Sequence, residues 1–400
     1  MDTATYQHKL KSNLPKLYAF SFFQCFLVLI PVVVPYLQGK GLTLEDVFLL
    51  QAIFGATLIV SDAPAGYLAD LFGRKRSLII GSVVLALGYQ VLWFGETFVH
   101  FAIWEVILGF GLSLQSGCDV AILYNTLDEL GTNGRKAGFL GRRITAQTTG
   151  EGFASILASV LTVVSLALPA YVNALTSWIP VFIAMTLVEP AGQRMSRTSH
   201  LENFRAIARA LFGHSKMLTF AILNFIFYGF ATYCAVWMLQ PYWKSLGIPV
   251  AVFGFLWAAN SFAAALVSRF AHAIEEKIGS TTSIVVIALL PIVGYLGMGH
   301  APGHWGLAFI LAFPLCRGLN QVLFLDAINT RVPPEMRATT NSIGSLGMRA
   351  LFIVFGPLVG RTLDTQGPQA ALSSLGIVYV IGFCLIALPL LSQRRHFRME

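Results

Sequence analysis

The feature that most constrains this chain is its succession of long apolar runs. About twelve runs reach the roughly 20 residues that a helix needs to cross a hydrocarbon core of about 30 Å. They lie at positions 14–37, 45–70, 76–96, 99–127, 139–165, 168–188, 216–240, 250–273, 281–299, 304–330, 339–362 and 370–392. Of all residues 56% are hydrophobic and 12% charged, more apolar surface than a soluble protein of this length could bury. The sequence therefore predicts an all-α membrane protein with twelve transmembrane helices, called spans 1 to 12 below.

Basic residues indicate the orientation of these spans. They recur on one side of the predicted membrane, and the middle loop alone holds Arg194, Arg197, Arg205 and Arg209. The opposite side holds little beyond Lys40, Lys244 and Arg361. Because cytoplasmic loops are enriched in Lys and Arg, we expect both termini to be cytoplasmic. The net charge of +8 then reflects topology, so we expect a lipid bilayer around the chain and no nucleic-acid partner.

The chain also repeats itself when its first half is shifted by 206 positions. Pro35 and Tyr36 then align with Pro241 and Tyr242, and Asp70 aligns with Glu276. The repeat predicts two pseudo-symmetric six-helix halves of the same sense, residues 1–188 and 216–400. A polar cytoplasmic linker, residues 189–215, would join them.

A polar signature follows span 2. The segment Gly66–Ser77 reads GYLADLFGRKRS and combines Asp70 with Gly73, Arg74 and Lys75. It resembles the loop signature G-x-L-a-D-x-x-G-R-K of the major facilitator superfamily, whose members are secondary transporters that work by alternating access. The resemblance implies that Gly66 lets span 2 pack closely on a neighbour. It also implies that Asp70 contacts the start of span 11, near residues 337–341, and so closes the cytoplasmic side.

Two further patterns refine this resemblance. Asp62, Pro64 and Gly66 in span 2, and the stretch Ser116–Leu127 in span 4, resemble a poorly characterised bacterial branch of the superfamily. Glu105 stands where the drug–proton antiporters of the superfamily carry an arginine, and span 5 lacks their G-P-x-x-G-G element. The resemblance implies the bacterial inner membrane as the location and fixes no substrate.

Charged side chains inside a membrane are costly, so each is a candidate for the transport site. Glu151 lies near the middle of span 5, on one helix face with Gln147 and Ser155, while Arg317 and Arg349 lie near the middles of spans 10 and 11. We expect Glu151 to pair with at least one of these arginines in a central cavity. The other candidates for this cavity are Gln24, Glu105, Asp119, Asn224, Tyr228, Asn320 and Gln321. Asp62 and Asp119 lie nearer the cytoplasmic end of their spans, which favours a gating or packing role over contact with the solute, and Asp62 is grouped with the gating signature. Arg142 and Arg143 are expected at the cytoplasmic interface.

Two transport functions follow from these charges. Two arginines against one glutamate favour a small organic solute with an anionic or zwitterionic group, moved with a proton as the coupling ion. The alternative is a multidrug or cation efflux proton antiporter that uses Glu105, Asp119 and Glu151. An enzyme is not expected, because the sequence has no phosphate-binding glycine loop, nucleophile elbow or extramembrane domain. No cofactor or metal site is predicted, since the five cysteines show no metal-ligand spacing, and we expect a monomer.

Overall fold

The chain folds entirely into helices over the residues that the structure describes. The computed structural model describes the backbone of residues 3–131, 136–190, 216–332 and 337–392, with the side chains of these residues except 3–5, 70, 136–137 and 337–339. A short helix, Thr3–Lys11, precedes span 1. Span 1 is Asn13–Gln24 with Val33–Gly39, span 2 is Leu44–Phe72, and span 3 is Arg74–Tyr89. Span 4 is Phe98–Gln115 with Cys118–Glu129, span 5 is Lys136–Val164, and span 6 is Leu168–Thr176 with Ile179–Thr186. Spans 7 to 9 are Lys216–Ser245, Phe253–Ile278 and Ser280–His300. Span 10 is broken into Gly306–Ile310, Ala312–Leu319 and Leu325–Asn329. Span 11 is Arg337–Gln366, and span 12 is Pro368–Gly382 with Leu388–Ser392.

Ten of the helical segments are long and apolar enough to cross a membrane, which makes this a multi-pass membrane protein. Spans 1 and 5 do not meet that criterion. Span 1 is interrupted after Gln24 and resumes through a 3-10 turn at Ile30–Val32. Span 5 is 29 residues long, but it carries Arg142, Arg143 and Glu151 together with Gln147 and several threonines and glycines. Its lower hydropathy, and not its length, therefore separates span 5 from the others.

The helices form two compact units. Unit 1 comprises Met1–Leu42, Ile53–Arg197 and Val250–Ala258, and unit 2 comprises Thr43–Ala52, Thr198–Pro249 and Ala259–Glu400. The first residues of span 2 thus pack within unit 2, and the first residues of span 8 pack within unit 1. The halves predicted from the sequence, 1–188 and 216–400, differ from these units by the two exchanged segments.

The same tyrosine contact occurs once in each unit. In unit 1 the hydroxyl of Tyr36 in span 1 donates to the carbonyl oxygen of Leu92, after span 3, at 3.0 Å. In unit 2 the hydroxyl of Tyr242 in span 7 donates to the carbonyl oxygen of Met298 in span 9 at 3.1 Å. Both the donors and the acceptors are 206 positions apart. The two halves are therefore pseudo-symmetric in structure as well as in sequence.

Glycines with positive φ repeat at the same offset. Gly73 and Gly279 precede spans 3 and 9 with φ values of 95° and 83°. Gly41 and Gly247 follow spans 1 and 7 with φ values of 88° and 73°. Residues with a Cβ rarely adopt this conformation. The equivalent tight turns therefore account for glycine at these aligned positions.

The exchanged segments are fixed through the first turns of their helices, whose amide groups lack intrahelical partners. In unit 2 the carboxylate of Asp364 in span 11 accepts hydrogen bonds from the amides of Leu44 at 3.1 Å and Glu45 at 2.7 Å, at the start of span 2. In unit 1 the hydroxyl of Ser159 in span 5 accepts from the amide of Phe255, at the start of span 8, at 3.1 Å. Side chains of spans 11 and 5 thus cap spans 2 and 8.

Candidate functional site

Span 4 is broken in unit 1, and several of the predicted polar residues lie near this break. Gly117 adopts a left-handed conformation, with φ of 70°, and the second half of the span begins at Cys118. Ser116 and Gly117 are exposed although they lie well inside an apolar span. The first amides of the second half have no intrahelical partners, and this positive end of the helix dipole favours an acid nearby. Asp119 is in that first turn.

Asp119 forms a buried ion pair with Arg143 of span 5. The Nε–H of Arg143 donates to the Oδ2 of Asp119 at 2.7 Å, and a second guanidinium nitrogen contacts the same oxygen. The two side chains are 13% and 6% exposed. Arg143 also donates to the Oε1 of Gln147, one turn further along span 5, at 3.3 Å. A pair removed from water needs this kind of close geometry and additional hydrogen bonding to be stable.

Arg143 was expected at the cytoplasmic interface together with Arg142, but the two side chains have different surroundings. Arg142 is exposed and lies over the ring of Phe139, at 5.6 Å from the ring centroid, as an interfacial arginine can. Arg143 instead continues the polar face of Gln147 and Glu151 one turn toward the start of span 5. The four-residue spacing of these three residues was the signal available in the sequence.

A chain of amide and hydroxyl groups lies beside this break. The Nε2 of Gln24 in span 1 donates to the Oε1 of Gln115 at 2.7 Å. The Nε2 of Gln115 donates to the hydroxyl of Ser82 in span 3 at 2.7 Å, and Ser82 donates to the carbonyl oxygen of Leu78. Gln24, a predicted cavity residue, is half-buried and so oriented by Gln115.

Glu151 contacts a residue that was not predicted from the sequence. Its Oε1 accepts a hydrogen bond from the indole Nε1–H of Trp257, in the segment of span 8 that belongs to unit 1, at 3.2 Å. Trp257 is 8% exposed, whereas Glu151 is half-buried. A further predicted acid of this unit, Glu105, is 3% exposed in the first half of span 4.

Three of the predicted cavity residues lie in the packed interior of unit 2. Asn224 and Tyr228 of span 7 and Asn320 of span 10 are at most 1% exposed. The side-chain amide of Asn224 donates to the carbonyl oxygen of Ile386 at 3.1 Å, and that of Asn320 to the carbonyl oxygen of Phe225 at 3.2 Å. The Oδ1 atoms of both asparagines and the Tyr228 hydroxyl make no hydrogen bond to any residue that the structure describes. In this conformation these side chains join helices within the unit.

Both amide contacts of these asparagines involve π-helical turns. Asn320 begins the π turn Asn320–Phe324 in span 10, and Ile386 lies in the π turn Phe383–Ala387 of span 12. The turn in span 10 begins 204 positions after Ser116, the offset that also relates Asn125 to Asn329. Spans 4 and 10 therefore depart from α-helical geometry at corresponding positions. Such π turns are frequent at functional sites.

The remaining predicted cavity residues of unit 2 are more accessible. Arg317 and Arg349 are half-buried near the middles of spans 10 and 11, and Gln321 is exposed. Within the described part of unit 2, no carboxylate forms an ion pair with either arginine. The described acids of that unit, Glu45, Asp46, Glu275, Glu276, Asp326 and Asp364, lie at or near the ends of spans.

The signature loop of unit 1 is fixed by an acid from the end of span 6. The carboxylate of Glu189 accepts hydrogen bonds from the amides of Arg74 at 3.1 Å and Lys75 at 2.8 Å, directly after Gly73. These are the first amides of span 3, so Glu189 caps that helix. The basic residues of the signature therefore contact an acid through their backbone amides.

Two expectations about the signature residues have different outcomes. Gly66 is exposed, and no described atom lies within 4 Å of a Cβ built on it, so the expected close packing at Gly66 is absent here. Asp62 is half-buried in the same helix. The side chain of Asp70 and residues 337–339 lie outside the described side chains, and so does the contact expected between them.

The second copy of the signature lines an open pocket of about 1040 Å³ in unit 2. Glu276, Gly279, Thr281 and Thr282 belong to its wall, together with Arg331 at the end of span 10. Where the structure describes the chain, it contains no cluster of His, Cys, Asp and Glu that could hold a metal ion.

Known proteins with similar sequences are transporters. An uncharacterized transporter of Buchnera aphidicola subsp. Baizongia pistaciae is 32% identical over 104 residues, which are 25% of each protein. Dipeptide and tripeptide permease B of Aliivibrio fischeri is 31% identical over 81 residues, 19% of this chain and 16% of the permease. The alignments thus span a quarter or less of these relatives' own lengths.

Similarity in structure extends over nearly the whole chain. The crystal structure of the nucleoside transporter NupG superposes with a TM-score of 0.78 over 97% of this chain and 100% of that one, at 16% identity. At this identity the likeness shows the fold alone. The family model described as Major Facilitator Superfamily matches residues 17–357. The chain therefore belongs to the Major Facilitator Superfamily, and it is a transporter and not an enzyme.

Proposed function

We propose that this chain moves a small organic solute with an anionic or zwitterionic group across the bacterial inner membrane by alternating access. A proton is the coupling ion in this proposal, both termini are cytoplasmic, and the functional form is a monomer. The solute class follows from charge inside the spans, because the free energy of a charged group there depends on finding a partner.

The observation that carries the proposal is the imbalance of charge inside unit 2. Arg317 and Arg349 are half-buried in mid-span, and no described acid of that unit pairs with them. Two desolvated guanidinium groups favour an anionic ligand, and their planar forks match the two oxygens of a carboxylate or phosphate. A solute that carries such a group would offset part of the cost of keeping these charges in the membrane.

Unit 1 supplies the candidates for proton coupling. Asp119 is paired with Arg143, and a proton on Asp119 would remove the charge that holds the guanidinium in place. Glu151 accepts a hydrogen bond from the indole of Trp257. Because the indole is neutral, this contact does not compensate the charge of the carboxylate. In this proposal either carboxylate is a candidate carrier of the coupling proton, and the solute binds at the arginines of unit 2.

The functions of two relatives suggest solute classes to test. One curated relative is a dipeptide and tripeptide permease, whose solutes are zwitterionic, and one structural relative carries nucleosides. We therefore include both classes among the solutes to be tested. Peptides agree better with the charge of unit 2, because a nucleoside carries no carboxylate or phosphate.

The test is a thermal-stability screen on the purified full-length protein. The panel contains dipeptides, organic acids, phosphorylated metabolites, nucleosides and lipophilic cations, since a ligand that binds only the native state raises Tm. We expect an anionic or zwitterionic solute to raise Tm and Arg317→Gln and Arg349→Gln each to weaken that effect. Lysine at either position should rescue binding poorly, because it keeps the charge and loses the fork.

The matched control is Arg269→Gln, which removes an exposed arginine from span 8 and should leave ligand binding unchanged. Stabilisation by lipophilic cations alone would contradict the proposal and support a cation efflux antiporter. Equal affinity for an acidic solute in the wild type and in both arginine variants would also contradict it.

A further inference from the structure

One contact in unit 1 joins the mid-span acid Glu151 to an exchanged segment. The indole Nε1–H of Trp257 donates to the Oε1 of Glu151 at 3.2 Å. An indole nitrogen is a donor only, and a buried donor without an acceptor loses its hydration without compensation. Because Trp257 is 8% exposed, the carboxylate and the indole each restrict the orientation of the other.

The position of Trp257 is set by two neighbouring contacts of the same helix. Gly254 lies so close to span 5 that a Cβ at this position would overlap the carbonyl oxygen of Ser155. The amide of Phe255 donates to the hydroxyl of Ser159 at 3.1 Å. These contacts fix the first turn of span 8 against span 5. The helical spacing then places Trp257, one turn after Gly254, beside Glu151, one turn before Ser155.

The geometry points to Trp257 as the positioning residue of Glu151. Its indole N–H orients the carboxylate, and the same hydrogen bond joins Glu151 to the contact between spans 5 and 8 formed by Gly254, Phe255, Ser155 and Ser159. A solute or proton that engages Glu151 therefore acts directly on this contact. The inference rests on the proposed function only because that proposal gives Glu151 a role in transport. The hydrogen bond that positions Glu151 lies within unit 1 and does not depend on the proposal.

A spectroscopic experiment tests the positioning without reference to any solute. The full-length protein is labelled with 5-fluorotryptophan, and the fluorine resonance of residue 257 is identified by its loss in Trp257→Phe. We expect Glu151→Ala to shift this resonance, and Glu151→Gln, which keeps a neutral acceptor, to shift it less. The resonance of Trp237 is the internal control, because Trp237 is also 8% exposed and its indole N–H has no partner among the described residues. An unshifted Trp257 resonance in Glu151→Ala would overturn the inference.

A transport experiment then tests the role of this contact, with uptake of the dipeptide alanyl-alanine and of each panel solute that raises Tm. We expect Trp257→Phe to lower the uptake rate on the order of tenfold, as for a lost hydrogen bond to a charged group. The double variant Trp257→Phe/Glu151→Gln should be no slower than Glu151→Gln alone. Trp257→His, whose Nε2–H occupies the corresponding ring position, should restore part of the rate, and Trp237→Phe should leave it unchanged.

The two experiments separate the possible failures. If no solute is taken up by the wild type but Glu151→Ala shifts the Trp257 resonance, the proposed function fails and the positioning is supported. If uptake is present but the effects of Trp257→Phe and Glu151→Gln multiply in the double variant, the two residues act independently and the inference is wrong. A Trp257→Phe variant with wild-type uptake would also overturn it.

Discussion

At the scale of single residues, the ion pair of Asp119 and Arg143 is a buried electrostatic contact between spans 4 and 5. A buried pair adds little net stability relative to an apolar pair, because both charges lose hydration. Removal of one partner has a far larger effect, since the other charge is left buried without compensation. The additional hydrogen bond from Arg143 to Gln147 further fixes the guanidinium.

We therefore expect Arg143→Gln to destabilise the protein by about 3–5 kcal/mol. The double variant Arg143→Gln/Asp119→Asn should recover much of this loss, because no charge is then left unpaired. Thermal unfolding of the purified variants measures both effects. The control is Arg142→Gln, an exposed neighbour, for which a change within about 0.5 kcal/mol is expected. Similar losses for both arginines would contradict a special role for Arg143.

The residues of this site were only partly predictable from the sequence. Glu151 and Asp119 were identified because a carboxylate in an apolar span is conspicuous. Arg143 was placed at the interface because its distance from the end of the span was considered and its helix face was not. Trp257 gave no signal, since an apolar aromatic in a span is ordinary and its partner is more than a hundred positions away. Contacts between spans depend on packing, which periodicity within one span does not describe.

At the scale of helices, the interruption at Gly117 divides span 4 into two segments. Its left-handed conformation costs a residue with a Cβ about 1–2 kcal/mol. A Cβ at Gly117 would meet no atom within 4 Å, so the cost of substitution is one of backbone conformation alone. Gly141, within the helix of span 5, has equally open surroundings and no positive φ.

This pair of glycines gives opposite predictions for the same substitution. Gly117→Ala should destabilise the protein by about 1–2 kcal/mol. Gly141→Ala should stabilise it by about 0.5–1 kcal/mol, because alanine loses less backbone entropy in a helix. Unfolding midpoints in detergent, compared with the wild type, measure both changes. A stabilising effect of alanine at both positions would show that the break in span 4 does not persist in the purified protein.

The existence and order of the helices were predictable, and their irregularities were not. Runs of about 20 apolar residues are a strong signal, so the twelve spans follow from hydropathy. A single glycine such as Gly117 does not distinguish a break from close helix packing, and span 5 contains several glycines without any break. The π turns at Asn320 and Phe383 have no compositional signature, because they insert one residue into a helix through tertiary packing.

At the scale of the molecule, the sequence repeat predicted the relation between the halves but not the exchanged segments. Equivalent residues such as Tyr36 and Tyr242 make equivalent contacts in their own units. A sequence repeat identifies equivalent residues in the two halves. It does not predict which of the two units a short segment will pack within. The contacts of the start of span 2, which Asp364 caps in unit 2, could therefore not be predicted from chain position alone.

The distribution of basic residues gives a prediction for the whole chain. Single cysteines are placed at exposed positions, His304 in the loop before span 10 and Arg76 after the signature, in a background without the five native cysteines. A membrane-impermeant maleimide added to intact cells should label position 304 and not position 76, because the basic loops are cytoplasmic. After permeabilisation both should react. Labelling of position 76 in intact cells would reverse the proposed orientation.

The interruptions of spans 4 and 10 have a mechanical consequence. An unbroken α-helix transmits a displacement along its axis because successive hydrogen bonds join every turn to the next. At Gly117 and in the turn Asn320–Phe324 this ladder is broken or irregular, so the segments on either side can tilt separately. Asp119 lies two residues after the break, so a tilt of Cys118–Glu129 would move its carboxylate while Phe98–Gln115 keeps its packing. Each unit therefore contains a span that has a place to bend.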